Sequence, residues 1–535
     1  AIEAVLEGTS VRRTLGDLTR RHLLVVTPRE WEKEFTQHAT VRAFCYDLLG
    51  RRERQEMHRR AGEYYRGGEP DTLKAAVHFE RSGEYELAAQ LATDDLWMFI
   101  NQGQARAVEQ LLERFEGQHL DAALWAAVNT SRGQVLSFLR ESGPARACYQ
   151  RALASLKRIP DSPSIREARA RAYRGLGVLV EYEAPKEALD WLRQGLEELS
   201  NVSAREEAAL HIKIGSVQTA LGDYEAAILS LERGLELLAE EPSQLRARAL
   251  ANLGTVYGTQ GDIERGNSFT VQGLEISQQL NDYYQMLVMQ SNLGIDKEIL
   301  GDWEGAVTDY RQALALAEQL GSVAEQVRIE SNLGLLYTNR GDDKLATARL
   351  SHALDMARRH DLNEQLVHIL SNLADLHLRQ DEVEAAKPLL GEAERLALEM
   401  DSKYQLPEIY RGWARVQLAN GQSGGALVNA ERAVSLARDL GMDLEEGVGL
   451  RVLGQTLIAN GQANPGVGAL KQSLALLADD PYEVARSKTE WGRYLLSDTD
   501  WEYGETLLQE ARTTFQELSA KRDLATVDKL LARQE

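Results

Sequence analysis

The stretch SNLGLLYTNRGD, Ser331 to Asp342, is written three more times at forty-residue intervals: ANLGTVYGTQGD from Ala251, SNLGIDKEILGD from Ser291 and SNLADLHLRQDE from Ser371. A period of that length exceeds a typical helix or strand, so the repeated unit is supersecondary and the chain must stack such units in series. Aligning the Gly of Leu-Gly, or the Ala in its place, gives Gly133, Gly177, Gly215, Gly254, Gly294, Gly334, Ala374, Ala414, Gly454 and Gly492. Seven residues beyond this marker stands a turn residue, as in Gly222, Gly261, Gly301, Gly341 and Asp381, and five further a small one, as in Ala306, Ala346 and Ala386. Apolar residues fill the i, i+3, i+4 and i+7 positions on both sides of the turn, which marks two amphipathic helices approaching at small residues. The glycine supplies the left-handed conformation that ends the first helix, and the following Asp can start the second. Such a hairpin cannot bury its apolar face alone. The expected fold class is therefore mainly α: an α-solenoid of helical hairpins over residues 121–518, about ten repeats.

Composition agrees. The 535 residues include only 11 prolines and 6% aromatics, a balance that favours helix over strand. No apolar run reaches the roughly 18 residues of a membrane span. Cys45 and Cys148 form no metal or redox motif, which points to a reducing cytoplasm. Residues 1–81 carry fifteen Lys and Arg against thirteen Asp and Glu, a balance of +2, so the rest of the chain carries −23 of the total −21. An acidic array of that kind repels nucleic acid, and the repeats are not expected to bind it.

The Leu-Gly pair, the spaced small residues and Tyr257 or Tyr337 three beyond the marker resemble the tetratricopeptide repeat, whose common form has about 34 residues. The extra residues here, around AEQLGSVAEQVR and ARRHDLNEQLVH, should lengthen helices. In hairpins of that family the first helix lines the concave face. The resemblance thus turns Asn252, Asn292, Asn332 and Asn372 towards a groove, with Arg248, Arg328 and His368 one helical turn away. A primary amide both donates and accepts, so a ladder of them can hold an extended or helical peptide whatever its sequence. The same asparagines could instead cap or bridge backbone between neighbouring repeats. Arg411 and Arg451, three residues before their markers, are candidate anchors for a carboxylate or partners of nearby glutamates. The closing segment 519–535 is expected to be a solvating terminal helix.

The first residues follow another pattern. A helix ends in RRHLL, LLVV suggests a strand, EFTQ a second one after Pro28, and helices are predicted over Thr40–Leu49 and Arg52–Tyr65. Helix, hairpin and helices describe a winged helix over 1–66, truncated at its start; the chain opens partway through a helix and reads as a piece of something longer. The order resembles the winged-helix module that follows the ATPase core in STAND signalling ATPases, a class that includes maltose-regulator-like activators. The run FTQHATVRAF, Phe35 to Phe44, matches the motif whose histidine reaches the β-phosphate of ADP in that class. By this resemblance His38 is the nucleotide-state latch of the full-length protein, although Ala39 replaces the motif's Asp. Residues 67–120 resemble the helical arm joining core to sensor, with turns at Gly83 and Gly103.

No G-x-x-x-x-G-K-[ST], H-E-x-x-H or G-x-S-x-G occurs, and no Cys/His cluster, so this chain is not expected to be an enzyme and holds no cofactor. The STAND resemblance implies ADP or ATP on a nucleotide-binding core upstream. It also implies an inducer, a protein or peptide or less often a small molecule, that binds the concave face, relieves autoinhibition and permits self-association. The alternative is a plain repeat scaffold joining protein partners, with the winged helix as a docking or DNA-binding head.

Overall fold

The computed structural model describes residues 11–28, 33–37, 39–67, 70–181, 184–199, 202–260, 262–400, 402–497 and 500–532. They fall into two compact units, Ala1–Leu179 with Arg193–Ser203, and Val180–Leu192 with Ala204–Glu535.

Among the described residues the first unit begins with a helix, Val11–Arg20, and an antiparallel hairpin of Val25–Pro28 with Lys33–Thr36, in which Val25 pairs with Thr36 and Pro28 with Lys33. Helices Ala39–Leu48 and Arg51–Gly67 follow, within two residues of the predicted bounds. His38 lies outside the described residues. The Asp71 carboxylate accepts from the Lys74 amide and starts Thr72–Ser82, which ends at Gly83 with φ 94°. Three short helices, Tyr85–Asp94, Leu96–Asn101 and Ala105–Glu113, pack around Phe79, Phe99, Ile100 and Leu112. The hairpin Ala122–Phe138 with Ser142–Leu156 closes on Tyr149, which is fully buried against Gly133.

The second unit is a run of hairpins in the predicted register. Gln244–Thr259 pairs with Ile263–Gln279, Tyr283–Ile299 with Trp303–Leu320, Val323–Arg340 with Asp343–Arg359, and Asn363–Arg379 with Val383–Glu399. The pattern continues to Pro481–Leu495 with Trp501–Glu517, and Lys521–Ala532 ends it. Local chemistry explains each turn. Gly341 takes φ 76° and its N–H reaches back to Thr338 and Tyr337, while Asp262 and Asp302 cap the helices that follow them. At the Gly254 marker the two helices of the hairpin touch almost backbone to backbone: a Cβ there would lie 2.9 Å from the Gly266 carbonyl oxygen. Leu287, Val327, Leu350, Ile369 and Phe515, all fully or nearly fully buried, belong to one continuous core beneath the hairpins.

The hairpins wind tightly enough that successive turns of the superhelix meet. The Tyr224 hydroxyl donates to the Gly441 carbonyl at 3.3 Å, across 217 residues of sequence. Lys521 pairs with Asp342 and Arg522 with Asp343, each across 179 residues. The terminal helix therefore does more than cover the last repeat with polar side chains: it seats on the 341–343 turn and buries Val527. No described helix is long and apolar enough to cross a membrane.

Candidate functional site: the lumen of the repeat array

Winding the second unit so tightly leaves a lumen, a cavity of about 910 Å³ walled mainly by the first helices of successive hairpins and by the terminal helix. The repeat register decides what faces it. The residue just after the marker lines the cavity in six consecutive repeats, as Ile295, Leu335, Asp375, Arg415, Gln455 and Arg493. Two positions before the marker, Asn332 and Asn372 do the same. A period of forty residues thus becomes a set of rows running along one wall.

Of the nine residues predicted for a concave face, Arg328, Asn332, His368, Asn372, Arg411 and Arg451 line the lumen, and Arg248, Asn252 and Asn292 are not part of its wall. The asparagines divide. Asn252 donates its amide to the Ile212 carbonyl at 3.5 Å and Asn372 to the Ser331 hydroxyl at 3.1 Å, so both bridge to the preceding repeat. Asn332 is partly buried and makes no hydrogen bond among the described residues, which leaves its amide open to the lumen. Arg328 donates to Glu325 at 2.9 Å and to Ser291 at 3.0 Å. His368 stands 3.9 Å from Glu408; burial works against its proton, but Glu408, Glu364 and Glu445 outweigh it and raise its pKa. Arg411 pairs with Glu445, and Arg451, only 3% exposed, pairs with Glu483. Both arginines already have the glutamate partners that the sequence offered as one of their two roles.

Around these sits a charged network that was not singled out from sequence. Arg379 donates to Asp375 at 2.6 Å, to the Tyr482 hydroxyl at 2.7 Å and to Asn339 at 3.2 Å. Asp375 also takes Arg415, and the Tyr482 hydroxyl donates to Asp523 at 2.9 Å. Burial alone would raise the Asp375 pKa, yet Arg379, Arg415 and Arg486 together hold it well below the usual carboxylate range. The sequence did contain a signal: one position beyond the marker, where other repeats have Thr255, Ile295 or Leu335, adjacent repeats place Asp375 and Arg415. Opposite charges at one register in neighbouring repeats are a pair.

Glu298 behaves in the opposite way. It accepts from the Tyr310 hydroxyl at 3.0 Å, and burial, with no cation beside it to offset the cost, pushes its pKa up to about 8. Between its ordinary value of 4.5 and about 8 the folded protein keeps a proton that the unfolded chain gives up, so stability falls as pH rises through that window. Glu298→Gln removes the penalty. Its melting temperature should exceed the parent's by about 2–4 °C at pH 8.5, with a much smaller excess at pH 5. Equal melting at both pH values would show that folding does not raise the pKa of this carboxyl.

Sequence profiles of the tetratricopeptide repeat match residues 285–359 and 208–237. The chain carries tetratricopeptide repeats. Among solved structures, the Rap protein complexed with competence and sporulation factor is similar over 66% of this chain and 99% of its own, at 16% identity and a TM-score of 0.54. That likeness shows a shared repeat-solenoid fold. The Cut9–Hcn1 hetero-tetramer of APC/C also matches, with 17% identity over 91% of this chain and 98% of that one and a TM-score of 0.45. So does aspartyl phosphate phosphatase F from Bacillus subtilis, with 11% identity over 65% and 92% and a TM-score of 0.45. No curated protein sequence matches the chain.

Proposed function

We infer that the repeat array is a binding module that receives a peptide or an extended protein segment in its lumen. The observation that carries this is the pairing of a cavity of about 910 Å³ with the open amide of Asn332 on its wall. An amide that neither caps nor bridges is suited to a ligand backbone, since one side chain can satisfy both an N–H and a C=O. The Rap structure, solved with competence and sporulation factor bound, lends the fold a precedent for ligand binding.

We further place the module as the sensor of a STAND signal-transduction ATPase, in which inducer binding relieves autoinhibition of an upstream nucleotide-binding core. What supports this is the order of helix, hairpin and two helices over Val11–Gly67, together with the FTQHATVRAF run that contains His38. In this reading 1–66 is a winged helix, 67–120 the arm, and the nucleotide is ADP or ATP on the core. A ligand shifts such a switch only by its difference in affinity for the two states.

Selection from a random peptide library tests the binding role. Sequences enriched on the parent should bind Asn332→Ala at least about tenfold more weakly, while the two proteins melt alike, because Asn332 supports nothing in the free structure. Equal affinity for both would remove the ligand role from Asn332. For the switch, ATP turnover by the longer polypeptide should rise on adding the selected peptide.

A further inference from the structure

Successive windings of the second unit meet along a seam, and the repeat register says which residues form it. The turn inside one hairpin docks on the turn that joins two hairpins of the next winding. The residue nine beyond the marker leads at each contact. The Tyr224 hydroxyl donates to the Gly441 carbonyl, Trp303 packs edge-on against Tyr482 with ring centroids 5.2 Å apart, and Asp343 pairs with Arg522. The turn glycines touch the same partners. A Cβ on Gly301 would lie 2.8 Å from the Leu518 side chain and 3.3 Å from Pro481, and one on Gly341 would lie 3.1 Å from the Arg522 amide nitrogen.

Later docking turns are open. A Cβ on Gly421 or Gly461 would meet nothing within 4 Å. The triplet Asp-Trp-Glu, which places Trp303 in the seam at residues 302–304, recurs at 500–502, nine beyond the marker Gly492. Trp303 is 4% exposed and Trp501 is 50% exposed. The two tryptophans share a triplet and a register, yet another winding covers the first and none covers the second. Earlier joining turns are open as well. A Cβ on Gly321 would meet nothing within 4 Å, and Leu280, Arg359, His360 and Asp361 are all exposed. The array thus carries uncovered turns of the kind that dock near its end and of the kind that receive nearer its start.

We propose that a second copy of this chain continues the seam, with Trp501 and Glu502 of one copy seated on the 358–361 joining turn of the next. Charge selects that turn. Within the chain the seam sets acidic Asp342 and Asp343 against basic Lys521 and Arg522. Between copies Asp500 and Glu502, flanking Trp501, are the acidic side, and Arg358, Arg359 and His360 the basic one. The open joining turns at 278–284 and 318–324 contain no Lys or Arg. Arg359 pairs with Asp355 on its own helix at 2.6 Å but stays 71% exposed, which leaves its guanidinium accessible to an indole face. Tryptophan is also the residue type that most often dominates the energy of an interface. A contact between two different surfaces leaves one of each free on a dimer, so association does not stop at two copies.

Sedimentation velocity of the whole chain over about 1–100 µM tests this. The parent's sedimentation coefficient should rise with concentration and pass that of a dimer. Trp501→Glu and Arg359→Glu should each weaken association about tenfold or more, and both should melt like the parent because neither side chain is buried. Glu502→Lys, which keeps the tryptophan, should weaken association in the same direction. Mixing the first two variants gives the decisive result. Trp501→Glu keeps a receiving turn and Arg359→Glu a docking one, so the mixture should form dimers and nothing larger. A parent that stays monomeric over the whole range overturns the proposal. Association of Arg359→Glu at the parent's strength also overturns it, since copies would then pair through two Trp501 ends. If Trp501→Glu associates as the parent does, the contact lies elsewhere and the proposal falls.

Discussion

Asp375→Ala should cost about 3–5 kcal/mol, the largest loss expected from a single substitution in the lumen. The carboxylate holds two guanidinium groups, Arg379 at 2.6 Å and Arg415, and its side chain is 22% exposed. Removing it leaves both cations in a confined site with a third, Arg486, close by. Most of the loss comes from that uncompensated charge rather than from the value of the pair itself. Replacing both members, as in Asp375→Ala with Arg415→Met, should therefore be less damaging than Asp375→Ala alone. Urea melts of the parent, each single variant and the double variant would measure the coupling. A loss under about 1 kcal/mol for Asp375→Ala would mean that bulk water solvates the cluster. The pH dependence has a definite sign. The Asp375 pKa is depressed on folding, so the stabilisation is complete above its ordinary value of 3.8 and disappears only as pH falls through the lower folded value.

Gly254→Leu should be nearly as destructive, for a reason that has nothing to do with charge. A Cβ at residue 254 would lie 2.9 Å from the Gly266 carbonyl oxygen and 3.3 Å from the Thr270 amide nitrogen. Those are backbone atoms and cannot swing aside, so the two helices must part. Overpacking of this kind costs about 1–3 kcal/mol where side chains can yield, and the upper end or beyond is expected here. The same substitution at the exposed Gly424, inside the helix Ser423–Asp439 where a Cβ meets nothing within 4 Å, should be neutral or stabilise by up to about 1 kcal/mol, because Gly is a poor helix former, and serves as the control. Thermal melts would rank the two. Similar melting temperatures would show that the helices of this hairpin can separate without penalty.

How much could be read in advance follows from what repeats. Helix positions, turns and small-residue contacts recur every forty residues, and Gly341 and Asp381 both take the positive φ that the register demands, 76° and 62°. The concave face was legible for the same reason, and six of the nine residues named for it line the lumen. What was hidden depends on how far the array winds. Nothing in one repeat states that Arg379 will reach Tyr482, 103 residues on, or that Arg522 will meet Asp343. Those contacts come from small rotations between hairpins added over several repeats. The asparagines were hidden at shorter range: Asn252 and Asn372 bridge to the preceding repeat, whereas Asn332 makes no hydrogen bond among the described residues. A residue type at a fixed register is set locally, but a partner several repeats away, such as Tyr482 for Arg379, is set by the accumulated twist.

Contacts between successive turns of the superhelix also bear on how the chain is made. Most repeat arrays can fold from the first hairpin onward, because each unit needs only its neighbour. Here the 341–343 turn finds its partners at Lys521 and Arg522, 179 residues later. At about 5–20 residues per second, a ribosome needs roughly 10–35 s to synthesise that interval. During that time the edge of the middle hairpins stands uncovered and their lumen has one wall missing. A growing chain would therefore pass through an open coil that ratchets shut only when its last helix emerges, and truncation after residue 518 should leave the middle repeats, far from the cut, more susceptible to protease.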